Sequence, residues 1–165
     1  MQTINVRDDA KMEEILNSLR RASKELSDLL NGGLAGLALF GSWARLEAEE
    51  DSDVDVFVVV DGHIDLDLRA KIYRVLSKHL RRPITLVTAS QRDLSSESLE
   101  LTPLLINIIA DAIIIHDRNG FLESIVNLGR RLIEKAEIIR YKTADGKYGW
   151  AKKNGKPLSK VELEK

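Results

Sequence analysis

With 165 residues, of which 44% are hydrophobic and three are proline, the chain is long enough for one well-formed core and too short for two full domains. Lys and Arg number 25 against 26 for Asp and Glu, and this net charge of -1 gives no overall positive field that would attract nucleic acid or a membrane surface. Cysteine is absent, which excludes thiolate metal sites and cysteine nucleophiles, and no apolar run approaches the roughly 20 residues that cross a bilayer, so the sequence predicts a soluble cytoplasmic protein.

The first half of the chain predicts one helix followed by two buried strands. From Met12 onward, apolar residues recur every three or four positions until Asn31-Gly32-Gly33 ends the helix. Leu34–Phe40 is a short apolar run followed directly by Gly41-Ser42, which is typical of a buried strand that ends in a tight turn. After a charged loop, residues 53–60 are rich in valine and form the second predicted strand.

The second half predicts an alternation of helices and strands. Residues 68–80 have helical spacing, and Pro83 separates this helix from a third strand at 84–88. The later predicted elements are a helix at 102–110, a strand at 112–116 and a long helix at 121–141. In the tail, Asn154-Gly155 is the strongest local signal for a β-hairpin turn.

The tail differs from the rest of the chain in composition. Residues 142–165 contain seven lysines and three acidic residues, a local excess of four positive charges. Such an arm could bind RNA or an acidic partner, but we prefer a solvated hairpin whose underside carries Tyr148 and Trp150. We therefore predict a main domain at 1–141 and a hairpin extension at 142–165, with nucleic-acid binding not favoured.

Two aspartates at the start of the second predicted strand carry the clearest chemical signal. Side chains alternate along a strand, so Asp53 and Asp55 project on the same side with Cα atoms roughly 6.5 to 7 Å apart. Two carboxylates this close repel each other unless a cation lies between them, and Mg²⁺ often takes one or two carboxylates together with substrate phosphates. A polar strand start would also explain an isolated Asp-Val-Asp, so the metal interpretation depends on its context.

Gly41-Ser42 provides that context. The glycine lets backbone amides approach phosphate oxygens, a following helical turn offers further N–H groups, and Ser42 can add a hydroxyl donor. If the strands at 34–40 and 53–60 are neighbours, these groups and the two carboxylates face one pocket. The combination predicts a site for a triphosphate and a divalent metal.

Two side chains near this turn each allow two interpretations. Arg45 suits a phosphate contact, and it equally suits an ion pair with an acid of the loop at 47–51. Trp43 suits stacking on a nucleotide base as well as packing in the core.

The segments Gly-Ser-Trp-Ala-Arg at 41–45 and Ser-Asp-Val-Asp-Val at 52–56 resemble the polymerase-β-type nucleotidyltransferases. The resemblance is closest to their minimal single-domain members and covers approximately residues 34–116. It implies an α/β (α+β) nucleotidyltransferase fold, a mixed β-sheet flanked by helices, to which this chain adds a C-terminal β-hairpin.

The same resemblance implies roles for four residues. Gly41 and Ser42 would bind the β- and γ-phosphates of an NTP, expected to be ATP. Arg45 follows them in the chain and is the candidate for a further phosphate contact on its own chemistry. Asp53 and Asp55 would be catalytic and would bind Mg²⁺ or Mn²⁺. The implied reaction transfers a nucleoside monophosphate to an unidentified hydroxyl acceptor and releases pyrophosphate. Minimal members often act with a separate helical partner of the HEPN type in toxin-antitoxin pairs, so such a partner is implied as well.

Two positions depart from the family pattern. Leu46 stands where the family commonly has glycine, and Thr85 stands where it usually has a third aspartate. Threonine cannot act as a general base, and no Asp or Glu occurs between Leu68 and Arg92. The sequence therefore allows a second interpretation, a non-catalytic nucleotide-binding or antitoxin-like module.

Overall fold

The structure is a computed structural model that describes residues 6–156 and residue 158. In chain order the helices are α1 (Val6–Leu29), α2 (Gly41–Ala44), α3 (Leu66–Leu80), α4 (Gln91–Leu94), α5 (Pro103–Asp111) and α6 (Phe121–Lys135). The strands are β1 (Leu34–Phe40), β2 (Val54–Val60), β3 (Ile84–Ser90), β4 (Ile113–Asp117), β5 (Ile138–Lys142) and β6 (Tyr148–Lys152). From β1 to β4, each element that the sequence predicted lies within two residues of the observed one.

A four-stranded sheet in the order β3-β2-β1-β4 forms the centre of the fold. β1 pairs antiparallel with both β2 and β4, whereas β2 and β3 are parallel and are joined through the crossover helix α3. The sheet is therefore mixed, as the sequence predicted.

Hydrophobic side chains cover both faces of this sheet. Leu37 and Leu39 of β1 belong to the core that includes α1 and α3, and the alternate residues Ala38 and Phe40 belong to the core that includes α5 and α6. Side chains alternate along a strand, so an uninterrupted apolar run such as β1 is expected only where both faces are buried. Among the helices of the described residues, none combines the length and the apolar character that a membrane crossing requires.

The last helix is shorter than predicted. α6 ends at Lys135, so the prediction of a helix through residue 141 was wrong. Glu137 adopts a left-handed conformation with φ of 53°, which turns the chain, and Ile138 then starts β5 with 6% of its surface exposed. The apolar pattern continues across this point, so the sequence contains no local signal for the change from helix to strand. The strand forms because Ile138 and its neighbours pair with β6.

The hairpin turn also lies elsewhere than predicted. β5 and β6 are antiparallel and are joined at residues 143–147, where Gly146 has φ of 81°. Asn154-Gly155 forms a separate turn beyond β6, so its assignment as the hairpin turn was wrong. The predicted boundary between residues 141 and 142 falls inside β5, and the tail lysines Lys160 and Lys165 lie outside the described residues.

The hairpin packs against the main domain. Trp150 contacts the core on the α5 and α6 side of the sheet, and its Nε1 donates a hydrogen bond of 2.7 Å to Oδ1 of Asn107 on α5. The guanidinium of Arg140 lies 4.5 Å from the Trp150 ring centroid. These contacts place the hairpin beside the end of the sheet at which the candidate site lies.

Candidate active site

The candidate site lies at the end of the sheet where β1 stops and β2 and β3 begin. Phe40, the last residue of β1, pairs with Asp55, and Asp55 pairs in register with Thr85 on β3. This topology brings Gly41, which follows Phe40, to the same end as both strand starts. β4 begins there too, since its first residue Ile113 pairs with Leu39.

A pocket of about 380 Å³ opens at this end of the sheet. Its walls come from the turn after β1, the starts of β2 and β3, helix α5 and the hairpin. The lining residues are Phe40, Gly41, Ser42, Arg45, Asp55, Thr85, Leu104, Asn107 and Tyr148. Asp53 is exposed just before β2 and accepts a hydrogen bond of 3.3 Å from the Thr85 hydroxyl. The structure thus brings all five residues that the sequence singled out to one place.

Gly41 and Asp55 are in direct contact. Gly41 has φ of 73°, a conformation that favours glycine, and a Cβ atom at this position would overlap the Asp55 carboxylate, with Cγ only 2.8 Å away. No other residue fits here without displacing the carboxylate. The turn predicted to bind phosphates and the strand predicted to bind metal are therefore parts of one structural unit.

The turn closes with a left-handed residue where the polymerase-β-type pattern has glycine. Beyond the short helix α2, the N–H of Glu47 donates to the carbonyl of Ser42 and the N–H of Leu46 donates to that of Trp43, the pair of bonds that defines a Schellman motif. Leu46 has φ of 59°, so it adopts the backbone conformation that a glycine would adopt. The loop therefore keeps the glycine-like path despite the substitution.

Leu46→Gly should stabilise the protein by less than about 1 kcal/mol, because removal of a left-handed strain of about 1 to 2 kcal/mol is partly offset by the greater freedom of glycine in the unfolded chain. Leu46 is 60% exposed, so little packing is lost. Denaturant unfolding checks the prediction. The control is Leu29→Gly, an exposed leucine in the last turn of α1, which should destabilise; an equal loss in both variants would contradict the assignment of strain to Leu46.

The negative charges of Asp53 and Asp55 are only partly neutralised by nearby positive side chains. Burial of the carboxyl and the nearby charge of Asp53 raise the pKa of Asp55 above its ordinary value, and Arg45 only partly offsets this effect. No group of three or more His, Asp or Glu side chains within the described residues could hold a metal ion alone. Two carboxylates do fit a Mg²⁺ ion that also binds nucleotide phosphates, since this is a common protein coordination for Mg²⁺.

The model of the nucleotidyltransferase domain family matches residues 19–116, more than half of the chain. The chain belongs to this family. It is 35% identical over 66 residues to "Putative protein adenylyltransferase MJ0141" of Methanocaldococcus jannaschii, which covers 40% of this chain and 67% of that protein. It is 30% identical over 141 residues to "Putative protein adenylyltransferase MJ1305" of the same organism, covering 80% and 90%.

A solved structure supports the fold of this nucleotidyltransferase domain. The crystal structure of a "putative nucleotidyltransferase" from Sulfolobus solfataricus superposes with a TM-score of 0.50 at 15% identity, covering 72% of this chain and 94% of that one. Toxin-antitoxin structures, one of them with AMP-PNP, also match, with TM-scores of 0.40 to 0.48.

Arg45 of the nucleotidyltransferase domain forms two ion pairs. Its Nε donates to Glu47 at 2.9 Å, and another guanidinium nitrogen donates to Oδ2 of Asp111 at 2.7 Å. The second Asp111 oxygen accepts a bond of 2.8 Å from Arg140 of the hairpin. Burial disfavours the charged form of Arg45, but the bonds to Glu47 and Asp111 outweigh burial and raise its pKa. The ion-pair interpretation of Arg45 is therefore confirmed, and a phosphate contact stays a prediction.

Trp43 packs in the core. It is 5% exposed and belongs to the core that includes α1 and α3, and its Nε1 donates to the carbonyl of Ser52 at 3.3 Å. The packing interpretation of Trp43 is confirmed, because a ring buried in this way has no face free for a nucleotide base.

Three side chains at the site were missed by the sequence interpretation. Asp111 is the only charged residue in the apolar run at 104–115, and its side chain is 3% exposed. A lone acid in such a run is buried only when it is paired, which was an available signal. Arg140 and Tyr148 had no comparable signal, because their position depends on how the hairpin packs against α5.

Proposed function

We propose that this nucleotidyltransferase domain binds an NTP together with a divalent cation and transfers a nucleoside monophosphate to a hydroxyl acceptor, with release of pyrophosphate. The observation that carries the proposal is the direct contact between Gly41 and Asp55 within one pocket. We propose ATP as the donor and a protein hydroxyl as the acceptor class, because two relatives are named protein adenylyltransferases.

In this proposal the backbone N–H groups at Gly41-Ser42 and the Ser42 hydroxyl bind the β- and γ-phosphates. Asp53 and Asp55 hold Mg²⁺ or Mn²⁺, which supplies Lewis acidity and neutralises phosphate charge. The acceptor oxygen attacks the α-phosphorus as the bond to the β-phosphate oxygen breaks. Thr85 orients Asp53 through its hydrogen bond but supplies no base.

Thr85 also favours a second candidate function, that of a nucleotide-binding or antitoxin-like module without turnover. Thr85 pairs in register with Asp55, at the position of the usual third aspartate, and β3 contains no acidic residue. In either function we propose a separate HEPN-type helical partner, on the resemblance to minimal family members alone. A cytoplasmic location likewise stays a prediction.

Binding of ATP should require a divalent cation. The carboxylate pair repels a bare triphosphate and attracts it through a shared metal ion. Calorimetry of ATP binding in excess magnesium, and again in excess chelator, measures this directly. Equal affinity under both conditions would remove the metal from the proposal.

Label transfer from radiolabelled ATP, GTP, CTP or UTP to components of a cell lysate then tests the reaction and the preference for a nucleotide base.

The double variant Asp53→Asn/Asp55→Asn should lose metal-dependent nucleotide binding without losing stability, because it relieves repulsion in the unliganded protein. The raised pKa of Asp55 means that the folded protein binds this proton more tightly than the unfolded chain does. Wild-type stability should therefore fall as the pH rises from the ordinary aspartate pKa through the raised one, and the double variant should lack this fall.

Denaturant unfolding across that pH range, with calorimetry at neutral pH, checks both halves of the prediction. The control is Asp8→Asn/Asp9→Asn, which also removes two negative charges, but from exposed positions of α1. It should leave nucleotide binding unchanged. A misfolded double variant would make the aspartate pair structural instead.

A further inference from the structure

We propose that Tyr148 of the hairpin is itself an acceptor, so that the protein adenylylates its own chain on this residue. The inference rests on the proposed function and deepens it, because it assigns one particular hydroxyl to the same pocket. Tyr148 is half-buried on β6 and lines the pocket together with Gly41, Ser42, Asp55 and Thr85.

The Tyr148 hydroxyl is already bonded to a carboxylate. It donates to both oxygens of Glu47, at 2.8 and 2.9 Å, so the proton that must leave during transfer points at a group able to accept it. The pKa of Glu47 is lowered by its hydrogen bond to Arg45 and by that from Tyr148, with burial opposing. Glu47 is therefore ionised near neutral pH. It offers a base next to the Tyr148 hydroxyl, whereas β3 has Thr85 at the position of the usual aspartate.

Cations surround the Tyr148 ring. The guanidinium of Arg45 lies 4.7 Å from the ring centroid, that of Arg140 lies 5.4 Å away, and the Lys142 ammonium lies 5.4 Å away. Asp111 holds both arginines in place. Positive charge around the ring attracts a triphosphate and stabilises the negative charge that develops on the phenol oxygen as its proton leaves.

Transfer of AMP to Tyr148 needs only ATP, the Tyr148 hydroxyl and a proton acceptor. The Tyr148 oxygen attacks the α-phosphorus of ATP and forms an O–P bond, while the bond between the α-phosphorus and the bridging oxygen to the β-phosphate breaks. Pyrophosphate leaves, and the phenol proton passes to Glu47 and then to solvent. The product is AMP joined to Tyr148 through a phosphodiester bond.

The chain contains three tyrosines, all within the described residues, which makes the inference easy to test by site. Tyr73 on α3 is 44% exposed and Tyr141 on β5 is 47% exposed, and neither lines the pocket. Unspecific modification would favour these two exposed hydroxyls. Modification through the pocket selects Tyr148.

The experiment incubates the purified full-length protein with magnesium and ATP and follows intact mass and peptide mapping by mass spectrometry. We expect one AMP adduct, on the peptide that contains Tyr148, at a rate constant independent of protein concentration. Tyr148→Phe should abolish the adduct. The matched controls Tyr141→Phe and Tyr73→Phe should form it at the wild-type rate.

Glu47→Gln tests the proton acceptor, because glutamine keeps an oxygen to bond the Tyr148 hydroxyl but cannot take its proton. At saturating ATP, adduct formation should slow by about 10²- to 10⁴-fold. An unchanged rate in this variant would overturn the role of Glu47.

The remaining outcomes separate the two proposals. If wild-type protein binds ATP with magnesium but forms no adduct, or forms it elsewhere than on Tyr148, the inference fails while the proposed nucleotide site stands. If ATP does not bind, both fail at the binding step. Mapping on wild-type protein is decisive whether or not a variant folds.

Discussion

Asp111→Asn is expected to lower the free energy of unfolding by about 3 kcal/mol, because it leaves two arginines facing an uncharged amide in place of a shared carboxylate. The Asp111 side chain is 3% exposed, and each arginine side chain is 21% exposed. Partial access of water to the arginines places the effect at the lower end of the range for broken buried ion pairs.

Denaturant unfolding of Asp111→Asn measures the loss, and Asp51→Asn is the matched control. Asp51 is exposed in the loop after α2, so the same substitution there should change stability by less than about 0.5 kcal/mol. A loss below about 1 kcal/mol at Asp111 would mean that Arg45 and Arg140 find other partners, and that this carboxylate does not join the hairpin to the turn after β1.

Thr85→Asp is expected to raise the rate of transfer to external hydroxyl acceptors by up to about 10²- to 10⁴-fold, the usual contribution of a general base. Thr85 pairs with Asp55 and touches Asp53, so an aspartate there would complete a set of three carboxylates. Without metal, the added charge should lower stability near neutral pH, and magnesium with ATP should restore it.

Initial rates of label transfer from radiolabelled ATP to a lysate, in wild type and variant, test this gain. The control Thr88→Asp lies on the same strand but on its other face, where the Thr88 hydroxyl accepts a bond from Arg69, and it should leave the rate unchanged. Adduct formation on Tyr148 should not gain from Thr85→Asp, because Glu47 already accepts that proton. Fast wild-type transfer with no gain would show that external acceptors do not need a base on β3.

Most of the sheet could be predicted from the sequence because its strands are specified locally. β1 is an uninterrupted apolar run, and β2 is apolar from Val56 to Val60. Gly41 and the polar loop before Asp53 mark where one strand ends and the other begins. Pro83 fixes the start of β3, which places Thr85 beside Asp55. The candidate site followed from these boundaries, since the ends of neighbouring strands meet at one end of the sheet.

The parts that could not be predicted depend on contacts between distant segments. Ile138 and Ile139 continue the helical spacing of α6, and only pairing with β6 makes them a strand. The hairpin, in turn, carries Arg140 and Tyr148 to the pocket through its packing on α5. Local propensity contains no information on that packing, so these residues were absent from the predicted site.

The ion pairs of Asp111 with Arg45 and Arg140 couple ligand binding in the pocket to docking of the hairpin. Arg45 and Tyr148 line the pocket, and Asp111 and Arg140 hold the hairpin against α5. The pocket is therefore complete only in molecules whose hairpin is docked, and the apparent affinity for any ligand that needs this wall is reduced by the undocked fraction. By the same linkage, a ligand that contacts the hairpin side of the pocket must increase the docked population. Protection of the β5–β6 backbone amides from hydrogen exchange therefore reports ligand binding in the pocket.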